Sequence, residues 1–183
     1  MLELNEVLVA GADNTVSMMA RERQVTCLTG GSVAVRSKLL LAMLGLVSVK
    51  SGFVSIDGEP LEPQTVDLFR GMMAYVPSEL RAEGEVVVYE PPTVQDVFNL
   101  KHNREAAISN GLLTEEMKRT GAPDEKARLL AVAVLRKCPI LLVDTPHTDS
   151  ADYLRAFAAQ GHIVVVSSDE RSILDVADEI IEV

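Results

Sequence analysis

This sequence is short of several signals, and each shortage removes a class of function. No run of basic residues occurs, and 27 acidic residues outweigh 17 basic ones for a net charge of −10. That balance argues against nucleic acid or an anionic membrane surface as a direct partner. The longest apolar stretch, Leu39 to Val49, is about half of the ~20 residues a membrane-spanning helix needs, so direct membrane insertion is not expected. Met1-Leu2-Glu3-Leu4 lacks the basic start and apolar centre of a secretory leader, which makes a cytoplasmic location the expectation. There are only two cysteines, Cys27 and Cys138, both in or beside apolar strand-like segments. They read as small buried hydrophobes in a reducing compartment. No internal repeat or low-complexity tract is present. No Gly-x-Gly-x-x-Gly follows the first long strand, which disfavours a dinucleotide-dependent oxidoreductase.

What remains is ordinary soluble-domain material: 183 residues, 48% apolar and 24% charged, enough for one domain spanning 1–183. Leu2, Leu4, Val7 and Val9 suggest a half-exposed strand, Thr15 to Ala20 a second, and Val25 to Thr29 a third ending in Gly30-Gly31. From Arg36 the pattern predicts a helix that is apolar nearly all round, suited to a buried position. A strand at Phe53 to Ile56 precedes an Asp57-Gly58 turn, and Val66 to Arg70 predicts a short helix. Met73 to Val76 reads as a strand stopped by Pro77.

The middle is more polar. Thr93 caps an expected helix through Val94, Val97 and Leu100, and a further helix is expected from about Glu105 to Arg119. Asp124 is placed as the cap of an apolar helix, Ala127 to Leu135, with Arg136 and Lys137 in its last turn. The all-apolar runs Ile140 to Val143 and Ile163 to Val166 predict strands buried on both faces. Helices at Tyr153 to Gln160 and Glu170 to Ala177, and a strand at Ile180-Ile181, complete an alternating pattern. The predicted class is α/β, a mainly parallel sheet with helices on both faces and a small N-terminal antiparallel portion.

Where a strand runs through a glycine turn into a helix, free N–H groups and the helix dipole favour an anion. Here that junction reads Gly30-Gly31-Ser32-Val33-Ala34-Val35-Arg36-Ser37-Lys38. Set on the phosphate-loop pattern of glycine, four residues, glycine, lysine, serine or threonine, Gly30 takes the first glycine's place and Ser37 the magnesium-binding hydroxyl's. Val35 stands for the second glycine and Arg36 for the lysine.

Other segments follow in order. Ser51-Gly52-Phe53-Val54-Ser55-Ile56-Asp57-Gly58, then Phe69 to Pro77, then Pro92-Thr93-Val94-Gln95-Asp96-Val97-Phe98 are succeeded by Arg128 to Pro146, Gly161 to Asp169 and Ala177 to Ile181. Taken together they resemble the nucleotide-binding domain of ABC-type ATPases, a phosphate-loop NTPase fold, across nearly the whole chain. The resemblance implies a Walker B aspartate at Asp144, a general-base position at Thr145, a Q-loop position at Ser78 and a switch position at Ser168. Gly121 to Glu125 falls where the signature motif belongs, and a reduced helical subdomain is expected at about 93–125.

Departures from that family pattern are extensive. Gly11 occupies the adenine-stacking position, with Tyr75 as a candidate replacement ring. Val33 and Val35 replace glycines whose backbone angles a Cβ obstructs, so the loop is expected to relax with both valines packed inward. Arg36 spreads its charge over a larger plane than lysine. With Lys38 beside it, a weak oxyanion site is expected. A threonine hydroxyl at 145 cannot serve as general base near neutral pH. Loss of the base, the switch histidine and the Q-loop glutamine together predicts an inactive pseudo-ATPase, since phosphoryl transfer rests on positioned charge and a positioned nucleophile. No catalytic residue and no resident cofactor or metal is expected. ATP and magnesium, if bound through Ser37 and Asp144, are bound weakly. The expected role is a binding or scaffold subunit whose partner is a protein, either an ABC-type ATPase subunit or a membrane protein, with a dimer as one arrangement. Two alternatives stay open: an ATP-binding half of a heterodimeric ATPase, and a small-anion or nucleotide-binding regulator built on Arg36, Ser37 and Lys38.

Overall fold

The computed structural model describes residues 1–78 and 108–183. The expected helix through Val94 and Leu100, and the first part of the region at 93–125, lie outside the described residues. Two sheets organise the rest. Strands β1 (Leu2–Leu8), β2 (Val16–Ala20), β4 (Ser51–Ile56) and β5 (Glu59–Pro60) form an antiparallel sheet in the order β2-β1-β4-β5. Strands β3 (Val25–Thr29), β6 (Met73–Val76), β7 (Ile140–Asp144), β8 (Ile163–Ser167) and β9 (Glu179–Glu182) form a parallel sheet in the order β6-β7-β8-β3-β9.

Leu2 and Leu4 face the core, but the alternation of β1 breaks at Glu6, whose φ is +48°. The register with β2 and β4 shifts there, and Val7, of opposite parity, becomes the next buried residue. Gly52 of β4 lies against this bulge. A Cβ on it would stand 2.3 Å from the carbonyl oxygens of both Asn5 and Glu6.

Helix α1 (Val33–Met43) fills the space between the two sheets, with every residue from Leu39 to Met43 buried. Its core includes Leu2, Leu4 and Val54 from one sheet and Ile140, Leu142, Ile163 and Val165 from the other. The opposite face of the parallel sheet, Leu141, Val143, Val164 and Val166, packs with Leu130 of α4 (Asp124–Leu135) and Leu154 and Phe157 of α5 (Ala151–Ala159). Because both faces are covered, β7 and β8 are apolar at successive positions rather than alternating.

Smaller elements are α2 (Val66–Met72), α3 (Asn110–Arg119), a 3-10 turn at Thr148–Ser150 and α6 (Arg171–Leu174). Three expectations are corrected. Pro123, not Asp124, holds the extended cap position of α4, as its ring-fixed φ of −64° allows. Arg136 is the C-cap of that helix, and Lys137 lies beyond it at φ +56°. The helix expected over Glu170 to Ala177 is only α6, because the chain must turn to dock Asp178 on β3. There the Asp178 backbone N–H donates to the Val25 carbonyl at 2.8 Å, and its carboxylate accepts the Val25 N–H at 2.8 Å. No helix among the described residues is long and apolar enough to cross a membrane.

Candidate functional site at the strand ends

In a parallel α/β sheet, ligands gather at the carboxyl ends of the strands, where loops and helix N-termini converge. The candidates from the sequence sit at that edge: the Gly30–Ser37 segment follows β3, Ser78 follows β6, Asp144 and Thr145 end β7, and Ser168 follows β8. Asp144 and Ser167 are direct partners in the β7–β8 ladder.

The glycine turn leaves β3 with φ +72° at Gly30 and +55° at Gly31. A Cβ on Gly31 would stand 2.7 Å from the Val183 carbonyl oxygen, so the strand end of β9 closes over this turn. Ser32 then caps α1, its hydroxyl accepting the Val35 N–H at 3.2 Å. The helix therefore starts at Val33, three residues before the expected start at Arg36. Val33, Ala34 and Val35, which should form the second half of a phosphate cradle, are instead the first helical turn. Val35 is buried as expected, but Val33 is half exposed. Residues two apart on a helix point in different directions, so one valine reaches the core and the other cannot.

Arg36 carries a guanidinium with only 3% side-chain exposure. It donates to the Gly30 carbonyl and pairs with Asp169 at 2.7 Å. The Asp169 carboxylate also accepts the Gly30 N–H and the Thr29 hydroxyl, each at 2.9 Å. The Gly30 N–H, then the Thr29 hydroxyl and the Arg36 charge, hold this carboxyl below the usual carboxylate range against a smaller opposing effect of burial. Lys38 points elsewhere. Its Nζ donates to the Ala10 carbonyl at 2.7 Å, beside Gly11, so Arg36 and Lys38 do not form the joint anion site expected of them. The Ser37 hydroxyl is fully buried and makes no hydrogen bond among the described residues.

The second half of the site is equally closed. Asp144 is buried and accepts the Ser167 hydroxyl at 2.6 Å and the Thr145 hydroxyl at 3.3 Å. Thr145 sits at φ +49° and its N–H donates to the Ser167 carbonyl at 3.0 Å. The Lys126 Nζ, from the first turn of α4, donates to the Ser78 carbonyl and, at 3.4 Å, to that of Thr145. The cavity left beside Asp144, Thr145 and Lys126 is about 10 Å³, no more than one water occupies. Ser168 is buried behind this, its hydroxyl accepting the Glu170 N–H at 3.0 Å. The Cys27 thiol lies under the Ser168 carbonyl at 3.6 Å, and burial pushes its pKa up to about 11. Gly121 packs on the Asp149 carbonyl in the segment that should carry the signature motif. Tyr75 is buried in the core on β6 and offers no ring to an adenine.

These residues do not fit a magnesium–ATP complex. The Val35 and Arg36 N–H groups are used within a helix, the one cation at the lysine's place is paired, and the candidate metal-binding hydroxyl is enclosed. Two residues of the site were not singled out from sequence, Asp169 and Lys126. Asp169 had a usable signal, an acid directly after the switch position in a chain whose phosphate-loop lysine is an arginine. Lys126 had none.

The family model for ABC transporters matches residues 14–148. The arabinose import ATP-binding protein AraG of Escherichia coli O6:H1 is 26% identical over 214 aligned residues, covering 98% of this chain and 42% of that protein. Its counterpart from Pectobacterium atrosepticum is 25% identical over 122 residues, covering 66% of this chain and 24% of that one. The chain thus spans less than half the length of these relatives. An ATP-binding subunit of an ABC transporter superposes with a TM-score of 0.70 at 16% identity, over 100% of this chain and 85% of the other. A bacterial ABC transporter cassette with a dimeric structure gives 0.66 at 16% identity, over 100% and 94%. At such identity the likeness is one of fold: a phosphate-loop ATPase domain, here shortened.

Proposed function

This chain belongs to the ABC transporter family, and from that premise we propose that it is a degenerate ATP-binding domain, one that hydrolyses no ATP and acts as a binding or scaffold subunit. The observation that carries this reading is the start of α1 at Val33, which converts the phosphate cradle into helix. An anion-binding loop works through N–H groups that are free to point at phosphate. In α1 the Val35 N–H is already used by the Ser32 hydroxyl and the Arg36 N–H by the Ser32 carbonyl.

The chemistry of the remaining residues agrees. Thr145 offers a hydroxyl where a base must accept a proton, and that hydroxyl donates to Asp144 instead. In this proposal residues 1–183 act as one unit on the cytoplasmic side of a membrane, docked on a protein partner. That partner is an ATPase subunit of the same fold or a membrane protein. A paired arrangement has a precedent in the cassette whose structure is dimeric.

The test is a magnesium-dependent ATP hydrolysis assay on purified protein. No turnover above background is expected, and Thr145→Glu alone should restore none, because the loop stays closed. Turnover that Asp144→Asn abolishes would overturn the reading.

A further inference from the structure

The buried guanidinium of Arg36 presents a physical problem, and its solution points to a device inside this loop. A cation taken out of water is costly unless an anion accompanies it. Arg36 has 3% side-chain exposure, its Nε lies buried with no hydrogen bond, and its other contacts are the Gly30 carbonyl and Asp169. Asp169, by contrast, is more than half exposed on its own loop. Its carboxylate accepts from a glycine N–H, a threonine hydroxyl and a guanidinium at the head of a helix. That is the donor set expected around a phosphoryl or sulfuryl oxyanion.

We propose that the Asp169 side chain is a built-in anion that occupies the oxyanion site between Gly30 and Arg36, so that the remnant loop is shut by the chain itself. The site is latent rather than erased. When the charge at 169 is removed or withdrawn, Arg36 and the Gly30 N–H take up an external oxyanion of the phosphate class. This deepens the reading of the chain as a degenerate ATP-binding domain, because it names what holds the loop closed. The same charge logic explains why Arg36 tolerates burial at all. Among the described residues, the Val183 carbonyl oxygen and the Glu182 carboxylate also flank the turn. Glu182 of β9 lies beside Gly30, with its Cγ 3.2 Å from where a Cβ on that glycine would be. It has no hydrogen bond to the loop like those of Asp169, so it contributes a general field rather than a seat.

The experiment is a calorimetric titration with inorganic pyrophosphate at low salt. It compares wild type, Asp169→Asn, Glu182→Gln and the double variant Asp169→Asn with Arg36→Gln. Asparagine keeps an oxygen acceptor for Gly30, Thr29 and Arg36, so the buried guanidinium loses its counter-charge but not its hydrogen-bond partner, and circular dichroism establishes the fold of each 169 variant before titration. Asp169→Ala serves as the second variant. The expected result is affinity at least about tenfold tighter in Asp169→Asn or Asp169→Ala than in wild type, beyond what one unit of net charge gives through screened water. The double variant should lose this gain, and Glu182→Gln should stay near wild type. A folded 169 variant with no gain contradicts the proposal, as does a gain that survives without Arg36 or is matched by Glu182→Gln. Such failures leave the inactive-ATPase reading standing. ATP hydrolysis by the wild type would strike that reading instead.

Discussion

Replacing Leu40 by alanine is expected to lower the unfolding free energy by about 3–4 kcal/mol, in the middle of the range for buried leucines. Leu40 has no exposed surface and sits in the middle of α1, where the helix is enclosed between the two sheets. Collapse around the missing methyl groups is resisted on both sides, because each sheet is held by its own ladder. A cavity that cannot close costs both the lost transfer energy and the lost packing contacts. The same substitution at Leu46, which is 46% exposed, should cost less than about 1 kcal/mol. Chemical denaturation of the two variants against wild type checks both values. Equal losses would mean that α1 is not enclosed as described.

Gly52→Ala carries the second large effect, an expected loss of about 3–4 kcal/mol from backbone strain and collision combined. Gly52 has φ +75°, a region that costs an L-residue stability wherever it occurs. The added methyl would also meet the Asn5 and Glu6 carbonyls at 2.3 Å, and these belong to the β1 bulge rather than to a side chain that could swing away. Relief requires separating β4 from β1 at the bulge, which gives up ladder hydrogen bonds and loosens the burial of Val7. By contrast, Gly58→Ala has open space around the new methyl and suffers only its φ of +82°, so its cost should be nearer 1 kcal/mol, roughly the ordinary left-handed penalty. A thermal unfolding series separates the two. If Gly58→Ala proved the more damaging, the bulge contact would be refuted.

These particulars show what could be read in advance. The strands β7 and β8 were legible because a fully covered strand needs apolar residues at every position, and Ile140 to Val143 and Ile163 to Val166 supply them. Asp57-Gly58 announced its turn for a different, local reason: both residues take left-handed angles, φ +51° and +82°, which Asp and Gly accept most readily. The ordered segments carried the family, and the domain fold came with it. The state of the site was harder. Losing glycines at 33 and 35 says that a cradle is obstructed, but not that Ser32 will cap a helix beginning at the next residue. Arg36 was legible as a changed cation, while its partner lies 133 residues along the chain and is brought near only by the β3–β8 pairing. Lys38 shows the limit from the other side. Adjacent in sequence to Ser37, it lies on a different helical face and reaches the Ala10 carbonyl in the turn after β1.

The central claim is that the loop from Gly30 to Ser37 is closed and presents no nucleotide cradle. Its most direct test is a calorimetric titration of the purified wild-type chain with ATP, with and without magnesium, at two salt concentrations. The account predicts a dissociation constant of about 1 mM or weaker, since exposed charge contacts alone give little binding free energy and salt screens them. Added magnesium should not tighten it, because Ser37 is enclosed and Asp144 is engaged with two hydroxyls. Binding near 1 μM that strengthens with magnesium would contradict the account, for it requires free loop N–H groups and an open metal site. That result would identify the chain as an ATP-binding half of a paired ATPase.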